Sequence, residues 1–588
     1  MKQILTYLTE IAGKAFEEAG YEADLGKVTL SNRPDLCEYQ CNGAMAGAKR
    51  YHKAPIMIAK DVAEKLATGN VFEEVTAAPP GFINLKVSAA FLADFMNEMS
   101  ADERLGVKET ETPKTIIIDY GGANVAKPLH VGHLRSAVIG ESIKRILHFM
   151  GNKTIGDVHL GDWGLQMGLI ITEVRHRQPN LPYFDENFDG EYPREAPFTI
   201  SQLEEIYPCA SAKSKEDPAF REEAMQATYQ LQHGNRGYLA LWNHILNVSI
   251  ADLKVNYDNL DVHFELWKKE SDAQPYIPDM VKYLKEEGYA HLDQGALVVD
   301  VKEETDTKEI PPCMILKSDG SSLYNTTDLA TLVMRRQLYD PDEVVYVVDK
   351  RQELYFTQVF RAARKAALVK EGISLKFLGF GTMNGKDGKP FKTREGGVMR
   401  LENLISDINE EMYREIMDNH EADPNEAAQT AKVVALSAIK YGDLSNQASK
   451  DYIFDVDKFT SFEGNTGPYI LYTIVRIKSI MNRYNQEEKA ERPLHILPPC
   501  SDSEKALMLE LTGFAPAVTG AAEELAPHKI CSYIYGLANA FNRFYHETKI
   551  LTCEDLEQKA SWIALLSLTR RVLEEGIDLL GCEAPEKL

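Results

Sequence analysis

The sequence predicts a multidomain α/β protein with a central parallel sheet, a small α+β domain before it and an all-helical domain after it. The chain has 588 residues, and a single hydrophobic core rarely grows beyond about 250 to 300 residues. Strand and helix signals alternate between residues 114 and 398, which is typical of a doubly wound sheet. Beyond residue 401 only helical periodicity continues, which predicts a separate helical domain.

The composition is that of an ordinary globular protein, with 44% hydrophobic and 26% charged residues. The sequence has no run of about 18 apolar residues, and the amino-terminal MKQILTYLTEIAGKAFEEAG carries acids where a targeting peptide would be basic. We therefore expect a cytoplasmic protein without a membrane partner. The formal net charge of −24 argues against a protein that binds nucleic acid non-specifically over its surface, and we expect no DNA partner, but this charge is compatible with a local basic groove. The eight cysteines form no CxxC pair, which predicts reduced thiols and no zinc site.

Residues 1–110 are predicted to form the small α+β domain. The expected elements are a helix up to Gly20, helices near residues 38–50 and 54–68, a strand over 81–87 and a helix over 88–101. A charged linker over residues 102–113 follows. Nothing in this region carries catalytic chemistry, which favours an accessory role.

Residues 111–400 are predicted to form a Rossmann-like parallel-sheet domain. Its strands are expected near residues 115–118, 154–160, 344–348 and 375–380. A long, acid-rich helical section over residues 184–290 is predicted to interrupt the alternation as an insertion. Sheets of this kind bind ligands at the carboxyl ends of their strands, so we expect the functional site there. Residues 401–444 are predicted to be a helical connector, and residues 445–588 the all-helical domain.

The segment from residue 119 to residue 150 predicts a strand end, a glycine-rich turn and a helix, with polar and basic side chains concentrated at the turn. His130 and His133 lie at the predicted helix start, where backbone N–H groups favour anions. Gly132 has no Cβ to block a ribose or a base, and Lys127 adds a positive charge. A lone His-x-Gly-His pattern is weak evidence, but in this strand-to-helix context it predicts a nucleotide phosphate site.

A second basic segment, GTMNGKDGKPFKTREGG at residues 381–397, follows the last predicted strand. Its glycines and its basic side chains, among them Lys389, Lys392 and Arg394, fit a mobile loop. Such a loop neutralises the charge that develops during phosphoryl or nucleotidyl transfer. A solvated hairpin tip is the alternative interpretation.

These two segments resemble the two signatures of the class I aminoacyl-tRNA synthetases, and within that class the chain is similar to the arginyl-tRNA synthetases. The segments that carry the resemblance are DLCEYQCNGAMAGAK at 35–49, GFINL at 81–85, GANVAKPLHVGHLRS at 122–136, HLGDWGLQMG at 159–168, GKPFKTREGG at 388–397, NTGPYILYTIVRI at 465–477 and the ending GIDLLGCEAPEKL. They occur in the family's order along nearly the whole chain. The resemblance therefore does not depend on any single motif.

The resemblance implies an ATP site and an arginine site. His130 and His133 would contact ATP and stabilise the pentavalent transition state at its α-phosphate. The other candidate catalytic residues are Lys127, Lys389, Lys392 and Arg394. The residues expected to bind ATP are Ala123, Lys127, His130, Gly132 and His133. The residues expected to bind arginine are Asp119, Asn124, Tyr324, Asp328 and Gln352.

By the same resemblance, Asn124 and Gln352 would hold the α-amino group of the substrate. Asp119 and Asp328 would pair with its guanidinium, and Tyr324 would add a hydrogen bond. A planar guanidinium with five donors needs carboxylates and acceptors around it, and that geometry rejects lysine. Without the resemblance, Asp119 is equally a turn residue, Asp328 a helix cap and Gln352 a helix start.

Two positions depart from the family pattern. The second signature usually contains Lys-Met-Ser-Lys-Ser, whereas this chain has PFKTR at residues 390–394, with Thr393 in place of the second lysine. A neighbouring basic side chain, or Lys127 from the other side of the phosphates, would then supply the charge. The first signature is preceded by Gly121-Gly122-Ala123, where serine and proline are frequent, which leaves the rigidity of that turn open.

The carboxy-terminal helices resemble the anticodon-binding domain of the family. Aromatic and basic side chains alternate there, as suits stacking on unpaired bases and contact with phosphates. The residues expected to bind tRNA are Tyr469, Tyr472, Arg476, Lys478, Arg483, Asn542 and Tyr545. Residues 1–110 would touch the elbow of the tRNA.

The resemblance thus implies a monomeric ligase that joins L-arginine to tRNA(Arg) with ATP, with Mg²⁺ at the ATP phosphates. Two alternatives remain. A class I synthetase for another amino acid is disfavoured by the acidic pocket that the sequence predicts. A catalytically inactive tRNA-binding paralogue is disfavoured by the intact Asn124, Lys127, His130 and His133.

Overall fold

A computed structural model describes residues 1–127, 129–389, 400–419, 423–487 and 495–588. The contacts within the chain divide it into two compact units. The first comprises Met1–Glu109, Phe462–Asp578 and Glu583–Leu588, and the second comprises Thr110–Ser461 and Leu579–Cys582. In the described ranges, none of the helices combines the length and the apolar character needed to cross a bilayer.

The amino-terminal segment of the first unit contains an antiparallel sheet and four helices. The helices are α1 (Ile4–Glu18), α2 (Gly43–Tyr51), α3 (Pro55–Leu66) and α4 (Ala89–Ala101), and the strands are β1 (Val28–Leu30), β2 (Tyr39–Cys41), β3 (Phe72–Ala78) and β4 (Phe82–Val87). The strand order is β1-β2-β4-β3. The helix predicted over residues 38–50 is wrong at its start, because Tyr39 and Cys41 are the alternately buried residues of a strand that pairs with β4. The helix begins only at Gly43.

The second unit contains a four-stranded parallel sheet. The strands of this unit are β5 (Thr115–Asp119), β6 (Lys153–Asp157), β7 (His291–Asp293), β8 (Ala296–Val299), β9 (Cys313–Leu316), β10 (Glu343–Asp349), β11 (Ser374–Phe380), β12 (Met383–Asn384) and β13 (Tyr452–Ile453). The main sheet has the order β11-β10-β5-β6, and its three neighbouring pairs are parallel. This confirms the predicted parallel-sheet α/β class.

The helices of the second unit account for most of the rest of its chain. They are α5 (Val131–Phe149), α6 (Leu165–Arg177), α7 (Ile200–Glu216), α8 (Pro218–Gln232), α9 (Arg236–Asn259), α10 (Glu270–Ala273), α11 (Ile277–Glu286), α12 (Tyr324–Tyr339), α13 (Glu353–Lys365), α14 (Leu401–Asn419), α15 (Pro424–Leu444) and α16 (Val456–Thr460). Helices α7 to α11 lie within the section predicted to be helical, residues 184–290. The antiparallel sheet β7-β8-β9 that follows was not predicted, because strands of three or four residues give too short an alternation.

The carboxy-terminal segment of the first unit is helical, as predicted. Its helices are α17 (Gly467–Glu487), α18 (Asp502–Leu511), α19 (Phe514–Glu524), α20 (His528–Glu547) and α21 (Leu556–Asp578). Apolar side chains on α17 and α20, such as Ile474 and Phe541, are fully buried. Residues 445–461 belong to the second unit, so the start of a helical domain at residue 445 stays a prediction.

A buried arginine links the carboxyl ends of the parallel strands. Arg335 of α12 is fully buried, and its guanidinium donates to Asp119 Oδ2 at 2.6 Å and to Asp157 Oδ2 at 2.8 Å. A further donor of Arg335 reaches the Tyr346 hydroxyl at 3.1 Å. Asp119 ends β5, Asp157 ends β6 and Tyr346 lies in β10. Removal of one partner from a buried ion pair is costly because it leaves the other charge uncompensated.

Arg335→Met should destabilise the second unit by about 3 to 5 kcal/mol, because Asp119 and Asp157 would lose the cation that compensates them. Thermal unfolding followed by circular dichroism should give a lower transition temperature. Arg33→Met is the control, since it breaks a solvent-exposed pair with Asp35 and should leave the transition unchanged. An unchanged transition in Arg335→Met would contradict the assigned role.

Candidate active site

The two signature histidines lie at the junction of β5 and α5. His130 is the amino-terminal cap of α5, and its Nδ1 accepts from the Gly132 backbone N–H at 3.0 Å. The His133 Nδ1 accepts from the His130 backbone N–H at 3.1 Å. The ring centroids lie 3.9 Å apart. A Cβ on Gly132 would lie 2.7 Å from His130 Cε1, so glycine is required for this packing. The backbone therefore holds both rings at the helix start.

Both imidazoles are held in the neutral form. Burial lowers the pKa of His133 to about 3, and the charges of His130 and Lys127 add to this effect. Burial, together with the charge of Lys127, also lowers the pKa of His130. Because each Nδ1 accepts a backbone hydrogen, the proton of each neutral ring lies on Nε2. The site thus presents two Nε2–H donors.

The glycine turn before the histidines is anchored despite its departure from the family pattern. Gly121 and Gly122 have φ values of 95° and 62°, a left-handed conformation that favours glycine. The Gly121 N–H donates to Ser136 Oγ at 2.8 Å, and the Ser136 hydroxyl donates to the Val347 carbonyl at 2.7 Å. Ser136 therefore joins the turn to β10.

Asn124 is positioned by the HLGDWG segment. Its backbone forms a parallel bridge with Gly161, and the Gly161 N–H donates to the Ala123 carbonyl at 3.2 Å. A Cβ on Gly161 would lie 2.1 Å from Asn124 Oδ1. Only glycine at this position leaves room for the Asn124 amide.

An acidic cluster begins in the first turns of α12. Asp328 lies in the second turn, and the Leu323 N–H at the helix start is satisfied by Thr326, so Asp328 is not the cap. The Tyr355 hydroxyl donates to Asp328 Oδ2, and burial raises the pKa of Asp328. The Tyr324 side chain, one turn earlier, is 69% exposed. An acid with a raised pKa beside an exposed tyrosine suits a ligand that brings a positive charge.

Glu270 belongs to this acidic cluster and was missed by the sequence analysis. Burial raises the pKa of Glu270 to about 7, an effect that His159 opposes and that the charges of Asp162 and Asp328 reinforce. Glu270 begins α10, and its backbone N–H donates to the Leu160 carbonyl at 3.0 Å. No motif surrounds Glu270 in the sequence, so nothing distinguishes it there among 89 acidic residues.

His159 interacts electrostatically with both Asp328 and Glu270. Its φ of 41° is in the left-handed region. Its Nε2 lies 3.4 Å from Thr331 Oγ1, whose hydroxyl donates to the Thr327 carbonyl, and its Nδ1 lies 3.8 Å from Asp157 Oδ2. Burial lowers the pKa of His159, but Asp157 more than offsets this and the net pKa is raised.

The remaining predicted arginine-binding residues have different surroundings. Asp119 already accepts from Arg335 through Oδ2, so one of its oxygens is engaged by the protein's own guanidinium. Gln352 precedes α13, makes no capping hydrogen bond with its side chain and is exposed. It lies just beyond the carboxyl end of β10, where a ligand of the parallel sheet would bind.

Of the predicted basic loop, Lys389 is exposed, whereas Lys392 and Arg394 lie outside the described residues. The start of the loop is fixed to the segment just before β13. The Gly381 N–H donates to the Ala448 carbonyl at 2.9 Å. Asp451 accepts from Lys350 at 2.8 Å and from the Thr382 N–H at 2.7 Å.

The predicted tRNA-binding residues of the first unit form a network between α17 and α20. The Arg476 guanidinium donates to Asn542 Oδ1 at 2.6 Å and lies 4.7 Å and 5.3 Å from the ring centroids of Tyr472 and Tyr545. The Asn542 amide donates to the Tyr469 hydroxyl at 2.9 Å. Stacked arginine and tyrosine side chains of this kind suit unpaired bases.

Lys478 and Arg483 differ in their surroundings. Lys478 is 6% exposed, and its ammonium binds Glu586 at 2.7 Å and Glu574 at 3.2 Å. The charge of Lys478 is thus already used to hold the carboxy-terminal tail, and contact of Lys478 with tRNA stays a prediction. Arg483 is exposed, seven residues from Arg476 and thus on the same face of α17.

Comparisons with known proteins cover the whole chain. The family model "tRNA synthetases class I (R), catalytic domain" matches residues 95–456. The model "Arginyl tRNA synthetase N terminal domain" matches residues 2–87, and the model "DALR anticodon binding domain" matches residues 470–588.

Individual relatives agree with these matches. An arginine–tRNA ligase of Agathobacter rectalis is 62% identical over 597 residues, covering 100% of both chains. One of Alkaliphilus oremlandii is 58% identical over 589 residues, covering 100% of this chain and 99% of the relative. The crystal structure of arginyl-tRNA synthetase from Plasmodium falciparum matches with a TM-score of 0.79 at 26% identity, covering 100% of both chains. This chain therefore belongs to the arginyl-tRNA synthetase family of the class I tRNA synthetases.

Proposed function

We propose that this chain is an arginine–tRNA ligase. It activates L-arginine with ATP to arginyl-adenylate and pyrophosphate, and it then transfers arginine to the 3′-terminal adenosine of tRNA(Arg). The observation that carries the proposal is the acidic cluster of Asp328 and Glu270, both with raised pKa values, in the same unit as the neutral histidine pair. The acids can bind a cationic substrate, and the N–H donors of the histidines can bind an anionic nucleotide.

On the ATP side, the Nε2–H groups of His130 and His133 donate hydrogen bonds to phosphate oxygens. These hydrogen bonds strengthen as negative charge develops at the α-phosphate. Ala123 and Gly132 allow the nucleotide to approach the backbone closely. Lys127 adds one positive charge, which does not neutralise a triphosphate. The donors here are N–H groups rather than oxygens and do not ligate Mg²⁺, so Mg²⁺ would be held by the ATP phosphates.

On the arginine side, we assign the substrate guanidinium to Asp328 and Glu270, with the Tyr324 hydroxyl beside them. Asn124 and Gln352 would hold the α-amino group. Asp119 stays a candidate for a secondary contact, because Arg335 engages its Oδ2. A site lined by half-buried acids rejects neutral amino acids, since such a ligand leaves the acids unpaired.

The helical face of Tyr469, Tyr472, Arg476, Asn542 and Tyr545 is proposed to bind the anticodon loop. Residues 1–110 are proposed as the accessory tRNA-contacting domain, residues 111–400 as the catalytic domain, residues 401–444 as the connector and residues 445–588 as the anticodon-binding domain. The basic residues Lys389, Lys392 and Arg394 are proposed to act at the phosphates, and Arg483 to contact tRNA. We further propose a monomer in the cytoplasm.

Pyrophosphate exchange over the amino acids, with tRNA(Arg) present, tests the proposed reaction. Of the amino acids tested, only arginine should support pyrophosphate exchange. Exchange with another amino acid and none with arginine would favour a different synthetase. Binding of tRNA without any exchange would favour the inactive paralogue.

His133→Ala should reduce arginyl-adenylate formation by roughly 10²- to 10³-fold, because it removes a donor aimed at developing charge. Binding of tRNA(Arg), measured by filter retention, should be unchanged. His148→Ala is the matched control, since His148 is an exposed residue at the other end of α5. A loss in the control equal to that in His133→Ala would contradict a chemical role for His133.

Glu270→Gln should raise the KM for arginine by about tenfold to a hundredfold, the expected cost of losing a hydrogen bond to a charged group. The KM for ATP should change by less than about twofold, because Glu270 lies on the arginine side. Glu286→Gln, which alters an exposed carboxylate on α11, is the control. A larger change in the KM for ATP than in that for arginine would refute the assignment.

The KM for arginine should fall as pH rises through about 7. The pKa of Glu270 is raised to about 7, so below that pH the Glu270 carboxyl of the free protein holds a proton that the cationic ligand must displace. Steady-state kinetics between pH 6 and 8.5 measure this dependence. The dependence should flatten in Glu270→Gln, and an unaltered slope in that variant would exclude Glu270 as its source.

A further inference from the structure

We propose that Tyr207 is a positioning residue for adenylate formation, because its ring holds the Lys127 ammonium beside the signature histidines. The inference rests on the proposed function and adds to it a residue that lies outside both signatures. Tyr207 belongs to α7 in the helical insertion, far along the chain from the residue that it orients.

The contact is a cation–π interaction. Lys127 Nζ lies 4.7 Å from the centroid of the Tyr207 ring, within the range of about 6 Å for this interaction. Among the described residues, no carboxylate lies within ion-pairing distance of Lys127. The aromatic face of Tyr207 therefore holds the Lys127 ammonium without neutralising its positive charge. Lys127 needs that charge in order to bind phosphate.

Lys127 lies near the histidines while the ring holds it. Its charge contributes to the lowered pKa values of both His130 and His133. These are the two rings whose Nε2–H groups are assigned to the ATP phosphates. Tyr207 therefore stabilises Lys127 in the region where its charge acts, rather than in a withdrawn position.

The same turn of α7 also supports the chain after the second signature. Glu204, three residues before Tyr207, pairs with Arg400 at 2.7 Å, and Arg400 forms a backbone bridge with His130. Pro208 follows Tyr207 inside the helix and offers no N–H to the Glu204 carbonyl. This turn is therefore held in position by the contacts of Glu204 with Arg400 and of Tyr207 with Lys127. Both contacts lie next to the residues proposed to bind ATP.

The Tyr207 ring has its own support. It packs against the apolar cluster of Leu169, Ala210, Phe220 and Ala224. Tyr207→Leu keeps apolar packing but removes the aromatic face, and Tyr207→Phe keeps the face but removes the hydroxyl. The two variants separate the cation–π contact from packing.

The test is a double-mutant cycle in the full-length protein, measured as kcat/KM for ATP in pyrophosphate exchange with arginine and tRNA(Arg). Tyr207→Phe should stay within about twofold of the unmodified protein. Tyr207→Leu should lose about tenfold, about 1.4 kcal/mol of barrier. In the Lys127→Ala background, Tyr207→Leu should cause no further loss beyond about twofold, because the residue that it positions is gone.

Losses that add in the double variant would assign Tyr207 a structural role and overturn the proposal. A Phe variant as slow as the Leu variant would also overturn it, and so would a Lys127→Ala protein of full activity. Thermal unfolding checks each variant, and Tyr207→Met replaces Tyr207→Leu if the latter does not fold.

Failure of the proposed function would be visible separately, as absence of arginine-dependent exchange in the unmodified protein. In that case, calorimetric binding of ATP to the same variants tests the inference by itself. Tyr207→Leu should then weaken ATP binding where Lys127 is present and leave it unchanged in Lys127→Ala. Equal weakening in both backgrounds would overturn the proposal.

Discussion

The arrangement of the site depends on the buried guanidinium of Arg335. It joins the carboxylates that end β5 and β6 to α12, the helix that carries Asp328. Because Arg335 compensates Asp119 and Asp157, these acids are already paired within the protein. Among the described residues, Asp328 and Glu270 form no such ion pair with lysine or arginine. An internal cation thus determines which acids are left to receive a cation from outside.

The two halves of the proposed site are prepared in opposite ways by the same physical cause. Burial keeps His130 and His133 neutral, so the phosphate side presents N–H donors with little charge of its own. Burial also raises the pKa values of Glu270 and Asp328, so a cation bound on the arginine side would favour the ionised form of both acids. Each ligand brings the charge that its half-site lacks. Lys127 is the exception, and Tyr207 holds it with its charge intact.

The parts of the site that are local in sequence were predictable. Apolar runs located the strands of the parallel sheet, and the strand-to-helix junction located His130 and His133, since their geometry is set by hydrogen bonds within a few residues. Helical spacing places Lys478 on α17, but it does not say whether a lysine faces solvent or a carboxylate such as Glu586. Glu270 was missed because its raised pKa comes from burial near Asp328 of α12. No motif near Glu270 in the sequence indicates that burial.

The sequence by itself determined the α/β class, the strand-to-helix junction of the His-x-Gly-His segment and the family resemblance, because these depend on periodicity and on short spacings within the chain. Only the tertiary structure decided which acids are paired and which acids have raised pKa values. It also placed the Tyr207 ring beside the Lys127 ammonium. The physical reason is that burial and charge compensation depend on neighbours that are distant in sequence. An aspartate or a lysine acquires its chemistry from these neighbours rather than from its own segment.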